Sequence, residues 1–502
     1  MCRWEFARRY GEQSNSGQVC EAVAAFRAGP DGGYRDGMRH ICIVAAIIAV
    51  FAWLNWGSSP ASPYNYDESD YMYAAGRGWF ANYTGTPTQS IMEFVRVGLG
   101  SRGENGSRGA LSEYIRASGD LDFYRHWHGP LYIDWLIAIS PFRQDERLTR
   151  MLGMLIPIAG IVMLYAGTLR LFGSTATAIL AAVIYGWGYV VSRTTVAAPH
   201  QLFALCCLAS LMAAAFVLKT RNVRYWYIAV SFAALAFATL EVAFVLIGAL
   251  ILFAFQERST LQWTRQFLLR TGIAFLLPVL AVYPTSLLKL SFLKSYTFMA
   301  YLAVSRKSPW GDVNFGQTWR TRFENAPFEW LLVLAALAVF FRRDKNPAQR
   351  YSRVLLYFSV LMMIVTLRVL TVLPQYLLVF VPVLALFSAW MLGGWISQRP
   401  MKWQIAATAL ICGLMLVDTG LYVSRHPVPT NEPAIRLVAA VRDNHLERGI
   451  LILPHDEVPV FHYYFPQATL KSYLNQDEME ALARSEKADA LVQPNLDLEL
   501  RR

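Results

Sequence analysis

The sequence predicts an all-α polytopic membrane protein with a small α/β domain at its C-terminal end, and three observations lead to that class. The chain of 502 residues is 55% hydrophobic and 14% aromatic but only 16% charged, which is too apolar for a soluble multidomain protein. Apolar runs approaching the roughly 20 residues of a membrane-spanning helix recur between residues 41 and 421. After residue 425 the pattern changes to alternating helix-like and strand-like segments.

The net charge of +11 is interpreted as a signal of membrane topology. Lysine and arginine cluster in short segments between apolar runs, as at 342–345 and 350–353, and such segments favour the cytoplasmic side. No basic patch interleaved with aromatics lies on a soluble face, so the expected partner is the lipid bilayer and not nucleic acid. The six cysteines lie outside the long polar loops, which argues against a disulfide-supported extracellular domain.

Residues 1–37 contain no spanning apolar run and are predicted to be an N-terminal cytoplasmic tail, either flexible or an over-extended start. Residues 38–424 are predicted to form the membrane domain, and the first span is 41–54. The basic loops all fall in the cytoplasm if 226–255, which has Glu241 at its centre, crosses as two short spans. Residues 131–140 carry Asp134 and are short, so an interfacial helix is as good a reading of them as a span.

This arrangement gives about eleven spans. In addition to 41–54 and the two spans within 226–255, the predicted spans are 151–170, 176–192, 201–218, 268–286, 328–342, 352–370, 374–396 and 402–421. It also places the large loop 57–129, a second loop 287–327 and the α/β segment 425–502 together on the outer face.

Two motifs stand at the two ends of the polar loop 57–129. The first contains Asp67 and Glu68, which the spacing from Asn65 to Glu68 would place in the first turn of a capped helix. A carboxylate held at the membrane face immediately after a span can also accept a proton from a hydroxyl group. Both interpretations can hold together, because capping would make the base rigid.

The second motif is Arg125-His126-Trp127-His128-Gly129-Pro130. One interpretation is an interfacial belt of aromatics and histidines before a helix that begins with proline. The other is an anion site, because cationic side chains at a helix N-terminus can bind a phosphate together with the backbone N–H groups.

Taken together, the two motifs resemble those of glycosyltransferases that use polyprenyl-phosphate sugars. Tyr66-Asp67-Glu68 followed by Tyr71 is similar to the acidic motif of that family, and His128-Gly129-Pro130-Leu131-Tyr132 is similar to its His/Lys-Pro-Pro-Leu-Tyr motif. The resemblance continues at Arg150, at Arg170-Leu171-Phe172-Gly173 and at Pro374-Gln375-Tyr376-Leu377-Leu378. The family, which lies in the GT-C superfamily, includes the protein O-mannosyltransferases and the lipid A aminoarabinose transferases.

The resemblance implies a direct displacement at the anomeric carbon of the sugar, with inversion. The implied catalytic residues are Asp67, as the base that deprotonates the acceptor hydroxyl, and Glu68, as an assisting or orienting carboxylate. Positive groups near the leaving phosphate lower the barrier, and the resemblance implies that His128, with Arg125 or His126, binds it. His200 stands where relatives usually carry an aspartate and is a further candidate for the phosphate. Arg368 is another, because a charge near an outer helix end is costly in hydrocarbon. His200 is equally well interpreted as a helix-mouth histidine, and Arg368 as a residue that snorkels to the interface.

Aromatic residues lie near both motifs, and aromatic rings can stack on the C–H faces of sugars. Tyr66, Tyr71 and Tyr132 are the predicted acceptor- or sugar-binding residues, although an interfacial aromatic belt is the more frequent cause of such enrichment. Besides His200, two departures from the family pattern bear on the site. Gly129 replaces the first proline of the pair, which predicts a looser entrance to the following helix, and Gln375 replaces a basic residue that is common in relatives.

The sequence therefore predicts a multi-pass enzyme of the bacterial inner membrane with its active site facing the periplasm. It would transfer a sugar from a polyprenyl-phosphate donor to a hydroxyl of an envelope acceptor, which is a lipid, a lipopolysaccharide, a glycan or a protein. No metal-ligand motif is recognised, although a divalent metal is left open as a cofactor. The alternatives are a transporter or flippase of lipid-linked glycans, for which a repeat of two halves is expected but not seen, and an inert scaffold relative.

Overall fold

A computed structural model describes most of the predicted membrane segments and the C-terminal segment. It describes residues 30–56, 64, 66–76, 129–139, 145–193, 199–282, 320, 323–342, 347–366, 377–425, 433–454, 457–473 and 475–501. The chain divides into two compact units, Met1–Ala49 and Val50–Arg502. The division falls within helix α1 (Pro30–Trp56), and the other helices and strands given below belong to the second unit.

Helices dominate the second unit up to residue 425. In chain order they are α2 (Tyr66–Gly76), α3 (Leu131–Ala138), α4 (Glu146–Gly153), α5 (Leu155–Phe172), α6 (Thr175–Gly186), α7 (Tyr189–Arg193), α8 (His200–Thr220), α9 (Arg224–Phe237), α10 (Ala243–Gln256), α11 (Arg258–Leu261), α12 (Arg265–Val282), α13 (Pro327–Phe340), α14 (Pro347–Thr366), α15 (Val381–Ile396) and α16 (Met401–Arg425).

Five helices in the described part of the chain are long and apolar enough to cross a membrane. They are Gly37–Asn55, Glu146–Phe172, His200–Thr220, Arg265–Val282 and Met401–Arg425. Four shorter apolar helices, α6, α10, α13 and α15, accompany them. A mostly helical membrane protein is thus confirmed, whereas the total of about eleven spans stays a prediction.

The predicted interruption within residues 226–255 is present. Helix α9 ends at Phe237 and α10 begins at Ala243, so Glu241 lies in the break, and its side chain is buried. Each helix has 14 residues and is about 21 Å long at about 1.5 Å per residue, shorter than the ~30 Å hydrocarbon core. The short helix α3, predicted to be interfacial or spanning, has 8 residues and is too short to span.

Small residues let the central helices approach one another closely. Helix α6 packs against α5 and α15, and a Cβ atom on Gly393 of α15 would lie 2.9 Å from the Cα atom of Thr177 in α6. A buried hydrogen bond from Trp390 Nε1 to Thr168 Oγ1 (3.0 Å) joins α15 to α5. Close backbone approach and side-chain hydrogen bonds are the usual means of helix association in a membrane, where burial of apolar surface gives little driving force.

The turn between α5 and α6 shows how the local sequence ends one helix and begins the next. Gly173 adopts a positive φ of 68°, a conformation that costs glycine little, and it terminates α5. Lys219 Nζ donates hydrogen bonds to the carbonyl oxygens of Arg170 and Leu171, which are acceptors left open at the end of α5. Ser174 then caps α6 by accepting a hydrogen bond from the N–H of Thr177.

Beyond residue 432 the chain forms a small sheet with helices on both faces. The elements are α17 (Pro433–Asp443), β1 (Ile450–Pro454), α18 (Val458–Tyr464), β2 (Thr469–Tyr473), α19 (Gln476–Ser485), β3 (Ala490–Val492) and β4 (Leu498–Leu500). The strand order is β2-β1-β3-β4, in which β1 pairs in parallel with β2 and β3, and β4 is antiparallel to β3.

Strand β1 is buried on both faces, as expected for the central strand of a parallel sheet. Leu451 and Leu453 pack with α17 and α18, and Ile452 packs on the other face with Met479 of α19. The alternation of helix-like and strand-like segments therefore corresponds to a real sheet. Its placement outside the membrane, as a periplasmic domain of residues 425–502, stays a prediction.

Candidate active site

The acidic motif lies at the start of α2, as the sequence predicts, whereas the predicted cap residue Asn65 lies outside the described residues. Asp67 and Glu68 occupy the first turn of this helix, where the partial positive charge of the helix N-terminus favours carboxylates. The structure does not describe the side chains of Tyr66 and Asp67. It describes that of Glu68, which is only 2% exposed.

Glu68 forms a buried ion pair with Arg150 of α4. Arg150 Nε donates to Glu68 Oε1 at 2.9 Å and Nη2 donates to Oε2 at 2.7 Å, so the guanidinium group contacts both carboxylate oxygens. Arg150 is itself 5% exposed. A two-point pair of this kind fixes both distance and orientation, and it therefore holds the first turn of α2 against α4.

Tyr64, two residues before α2, joins the same cluster. The Arg150 guanidinium carbon lies 5.2 Å from the centre of the Tyr64 ring, within the range of a cation–π contact. The backbone N–H of Tyr64 donates to the hydroxyl oxygen of Tyr464 at 2.5 Å. That hydroxyl in turn donates to Glu146 Oε1 at 3.0 Å. Tyr64, just before α2, thus contacts both α4, through Arg150, and helix α18 of the C-terminal segment, through Tyr464.

The tyrosine hydroxyls of this cluster stay protonated at neutral pH. Burial is the main cause that raises the pKa of Tyr464, and it also raises the pKa of Tyr64, each well above the ordinary value for tyrosine. The Tyr464 hydroxyl therefore acts as a hydrogen-bond donor towards Glu146, while its oxygen remains an acceptor for the backbone of Tyr64.

The short helix α3 lies against α2. The Tyr71 and Tyr132 rings meet edge to face, with their centres 5.7 Å apart, and both residues are buried. They share a core with apolar residues of α2, α3 and α5, namely Met72, Ala75, Ile133, Leu136 and Ile156. In this structure the two rings hold α2 and α3 together, and direct contact of either ring with an acceptor stays a prediction.

The entrance to α3 is more tightly held than the sequence predicts. The N–H of Gly129 donates to Thr239 O at 3.1 Å, and the N–H of Leu131 donates to Ala238 O at 3.0 Å. A Cβ atom on Gly129 would lie 2.2 Å from Ala238 O, which is too close for any side chain. The prediction of a looser entrance is therefore wrong, because the missing side chain allows the backbone to pack directly on the break between α9 and α10.

His200 is the first residue of α8 and is buried, with 4% of its surface exposed. Leu202 and Leu205, in the first two turns of the same helix, pack against the core that contains Tyr71 and Tyr132. The N-terminus of α8 and the acidic helix thus adjoin one core. A helix N-terminus favours anions, so this position is compatible with the predicted contact to a phosphate.

Other predicted site residues lie outside the described part of the chain. These are Arg125, His126, His128 and Arg368, so their contacts with the sugar donor remain predictions. Among the described residues, no group of three or more His, Cys, Asp and Glu side chains is arranged to hold a metal ion.

Sequence reasoning did not identify Tyr464 or Glu146 as parts of this cluster. Tyr464 is 400 positions from Tyr64, and no local pattern links the two. Glu146 is the first residue of α4, and Asp145 caps that helix by accepting from the N–H of Leu148, so the local signal there indicates only a helix start. The family resemblance includes Arg150 but does not indicate its partner Glu68.

The described residues define a mostly helical membrane protein in which an acidic helix is held by a buried ion pair. An acidic helix precedes a bundle of apolar helices, and a segment beginning Gly-Pro-Leu-Tyr packs against that helix. Comparison with known proteins gives a family match over part of the chain and a shared fold.

Residues 128–284 match the family described as dolichyl-phosphate-mannose-protein mannosyltransferase. The matched region begins at His128 and includes Arg150 and His200. The resemblance expected from the motifs is thereby confirmed over this part of the chain. Among curated proteins, no match to this sequence was found.

Two solved structures of an oligosaccharyltransferase from Archaeoglobus fulgidus share the fold. One is the archaeal oligosaccharyltransferase AglB in complex with an inhibitory peptide and a dolichol-phosphate, with a TM-score of 0.51. The other is the apo form, with a TM-score of 0.52. Each is 11% identical in sequence, and each alignment covers 88% of this chain and 65% of the other. This chain thus spans about two thirds of the length of that enzyme, and at this identity the likeness concerns the fold.

Proposed function

We propose that the protein is an integral membrane glycosyltransferase that moves a sugar from a polyprenyl-phosphate donor to a hydroxyl group of an envelope acceptor, with inversion. The observation that carries the proposal is the acidic helix α2, whose first turn is fixed by the buried pair of Glu68 and Arg150. The matched family and the shared fold add independent support, since the family is that of dolichyl-phosphate-mannose-protein mannosyltransferase and the AglB structure contains a dolichol-phosphate.

In the proposed reaction, Asp67 is the general base. The acceptor oxygen attacks the anomeric carbon while the bond from that carbon to the phosphate oxygen breaks, and the acceptor proton passes to the Asp67 carboxylate. The products are the glycosylated acceptor, with inverted configuration, and the polyprenyl phosphate. A positioned general base of this kind typically contributes about 10²–10⁴-fold to the rate.

Glu68 has a different task in this proposal, because Arg150 contacts both of its carboxylate oxygens. Adjacent positions of an α-helix are about 100° apart around its axis, so positions 67 and 68 lie on different faces of α2. The face of α2 that carries Glu68 therefore binds Arg150 of α4. The face at position 67 is proposed to meet the acceptor hydroxyl.

The leaving phosphate develops negative charge, and the proposal assigns its stabilisation to cationic or donor groups near His128. These are Arg125, His126 and His128, with His200 at the N-terminus of α8 and Arg368. Tyr66, Tyr71 and Tyr132 are proposed to shape the acceptor or sugar side of the site. Localisation in a bacterial inner membrane, with the site facing the periplasm, belongs to the same proposal.

The test is transfer by the purified protein from a panel of undecaprenyl-phosphate sugars, including hexoses and aminoarabinose, to extracted envelope lipids and glycans. Asp67→Asn is expected to lower the rate by about 10²–10⁴-fold. The matched control is Asp70→Asn, which removes a carboxylate from the same helix and is expected to stay near the wild-type rate. Equal losses in both variants would refute the assignment of the base to Asp67. Absence of transfer by the wild type with every sugar donor would favour transport or scaffolding.

A further inference from the structure

The C-terminal segment contacts the acidic helix directly, as at Tyr73 and His462, and Tyr464 forms a hydrogen bond to the chain just before that helix. We propose that Tyr464 is a positioning residue for α2, so that helix α18 completes the acceptor side of the active site. This inference rests on the proposed function, because it concerns where α2 places its carboxylates during transfer.

The Tyr464 hydroxyl bridges the starts of two helices. It accepts from the backbone N–H of Tyr64, two residues before α2 begins, and it donates to the carboxylate of Glu146, the first residue of α4. One side chain from α18 therefore joins the same two helices that Glu68 and Arg150 join by their ion pair.

The Tyr464 bridge and the ion pair of Glu68 with Arg150 hold the backbone on either side of the proposed base in sequence. Asp67 lies in sequence between Tyr64, whose N–H is held by Tyr464, and Glu68, whose carboxylate is held by Arg150. The Arg150 guanidinium also faces the Tyr64 ring, so the two connections meet at one group. The backbone on both sides of position 67 is thus fixed to α4, and misplacement of a reacting group by about 1 Å can cost about 10²-fold in rate.

Tyr464 is itself held in place from within the C-terminal segment. The guanidinium carbon of Arg442, in α17, lies 5.6 Å from the centre of its ring. The Tyr463 ring meets the Tyr464 ring edge to face at 4.9 Å and the Tyr64 ring at 5.5 Å. Tyr73 of α2 also packs against His462 of α18, with ring centres 5.4 Å apart. Helix α18 therefore presents a fixed aromatic surface to α2. The Tyr464 hydroxyl holds the backbone that leads into α2.

Tyr464→Phe removes the bridging hydroxyl and keeps the ring with its contacts. Tyr473→Phe is the matched control, because the Tyr473 hydroxyl donates to Val492 O at 2.7 Å inside the sheet. Tyr464→Phe removes two hydrogen bonds of a tyrosine hydroxyl and Tyr473→Phe removes one, and only the first variant affects the chain that leads into α2.

The experiment compares the two variants in the full-length protein in detergent by two readouts. The first readout is kcat and acceptor KM for transfer. Tyr464→Phe is expected to lower kcat by up to about 100-fold with little change in KM, whereas Tyr473→Phe keeps the wild-type kcat. The second readout is hydrogen exchange of the backbone amides of residues 64–76, which is expected to accelerate in Tyr464→Phe and to remain slow in Tyr473→Phe.

A double variant separates the bridge from general loss of packing. Since Tyr464 acts through Glu146, adding Glu146→Ala to Tyr464→Phe is expected to produce little further loss of kcat. Wild-type kcat together with unchanged exchange in Tyr464→Phe would overturn the inference while leaving the proposed function intact. If the wild type transfers no sugar, the proposed function fails, and the exchange of residues 64–76 still decides whether Tyr464 positions α2.

Discussion

The Glu68 carboxylate and the Arg150 guanidinium form a two-point ion pair that is buried on both sides, at 2% and 5% exposure. The two residues are 82 positions apart, and the contact joins the first turn of the acidic helix to α4. Burying two charges costs desolvation free energy, so such a pair is better understood as a device that fixes geometry than as a source of net stability. Here the geometry that it fixes is that of the proposed active site.

Removal of one member of this pair should destabilise the protein strongly. Glu68→Ala or Arg150→Ala leaves an uncompensated buried charge, and we expect a loss of about 3–5 kcal/mol in the free energy of unfolding. In the double variant Glu68→Leu with Arg150→Met, both charges are absent, and the loss should be smaller than either single loss. Unfolding in mixed detergent, followed by circular dichroism, measures the three values.

The control for the ion pair is the exposed pair of Arg320 and Glu324, whose side chains are 79% and 57% exposed. Glu324→Ala should leave the unfolding transition unchanged, because solvent-exposed pairs contribute little. A double variant as unstable as the sum of the two single variants would contradict the coupling between Glu68 and Arg150.

Gly129→Ala should also be destabilising, although glycine-to-alanine changes are often neutral. The added Cβ would meet Ala238 O at 2.2 Å, and overpacking of this kind costs about 1–3 kcal/mol. Gly129→Pro, which restores the proline of the related family, should be worse, because it also removes the N–H that donates to Thr239 O. Thermal unfolding in detergent checks both changes.

Gly153→Ala is the matched control for position 129. Gly153 is the last residue of α4 and has nothing within 4 Å of an added Cβ. We expect it to unfold at the wild-type temperature or slightly above it, since alanine is the better helix former. A Gly129→Ala variant as stable as Gly153→Ala would contradict the close packing on the break between α9 and α10.

Asp134 should make the protein less stable as the pH rises. Burial raises the pKa of its carboxyl group to about 7, from an ordinary value of 3.8. Between these values the unfolded chain releases the proton while the folded protein retains it, so stability decreases from about pH 4 and levels off above about pH 7. Asp134→Asn should weaken this decrease and raise the melting temperature at pH 8.

Melting temperatures measured from pH 5 to pH 8 test the Asp134 prediction. The comparison variant is Asp477→Asn, on the exposed side of α19, which leaves Asp134 in place and should keep the wild-type decrease. An Asp134→Asn variant whose melting temperature falls with pH as steeply as that of the wild type would show that another group is responsible.

Gly393→Ala should loosen the contact between α6 and α15. A Cβ at this position would lie 2.6 Å from Thr177 Cγ2 and 2.9 Å from its Cα, so the helices themselves would have to move apart. A loss of about 1–3 kcal/mol is expected. Gly413→Ala in α16, where an added Cβ meets nothing within 4 Å, provides the control, and equal unfolding free energies for the two variants would refute the predicted contact.

Several features of the fold could be predicted from the sequence because they depend on neighbouring residues. The break around Glu241 follows from a charged residue in the middle of a long apolar run, and the structure contains it. The position of Asp67 and Glu68 in a helical first turn follows from capping spacing and from the preference for acids at helix N-termini. The central strand β1 follows from an apolar run bounded by turn residues.

The limits of prediction are clearest at Gly129 and at the span count. A glycine in place of a proline indicates flexibility when only local conformation is considered, and its close packing depends on Ala238 and Thr239, more than 100 positions away. Hydropathy also predicts spans that continue through turns. The span predicted at 176–192 is interrupted at Trp187 and Gly188, because α6 ends at Gly186. Helix ends depend on tertiary contacts that hydropathy does not register.

By itself, the sequence determined the membrane class, the family resemblance and the two motifs of the proposed site. Composition and local spacing encode these features, because hydrophobic burial and helix capping act over a few residues. Only the tertiary structure decided that Glu68 pairs with Arg150 and that Tyr464 reaches the chain before α2. Those contacts join residues 82 and 400 positions apart, and no local pattern specifies them, because they form only when the packing of whole helices brings their side chains together.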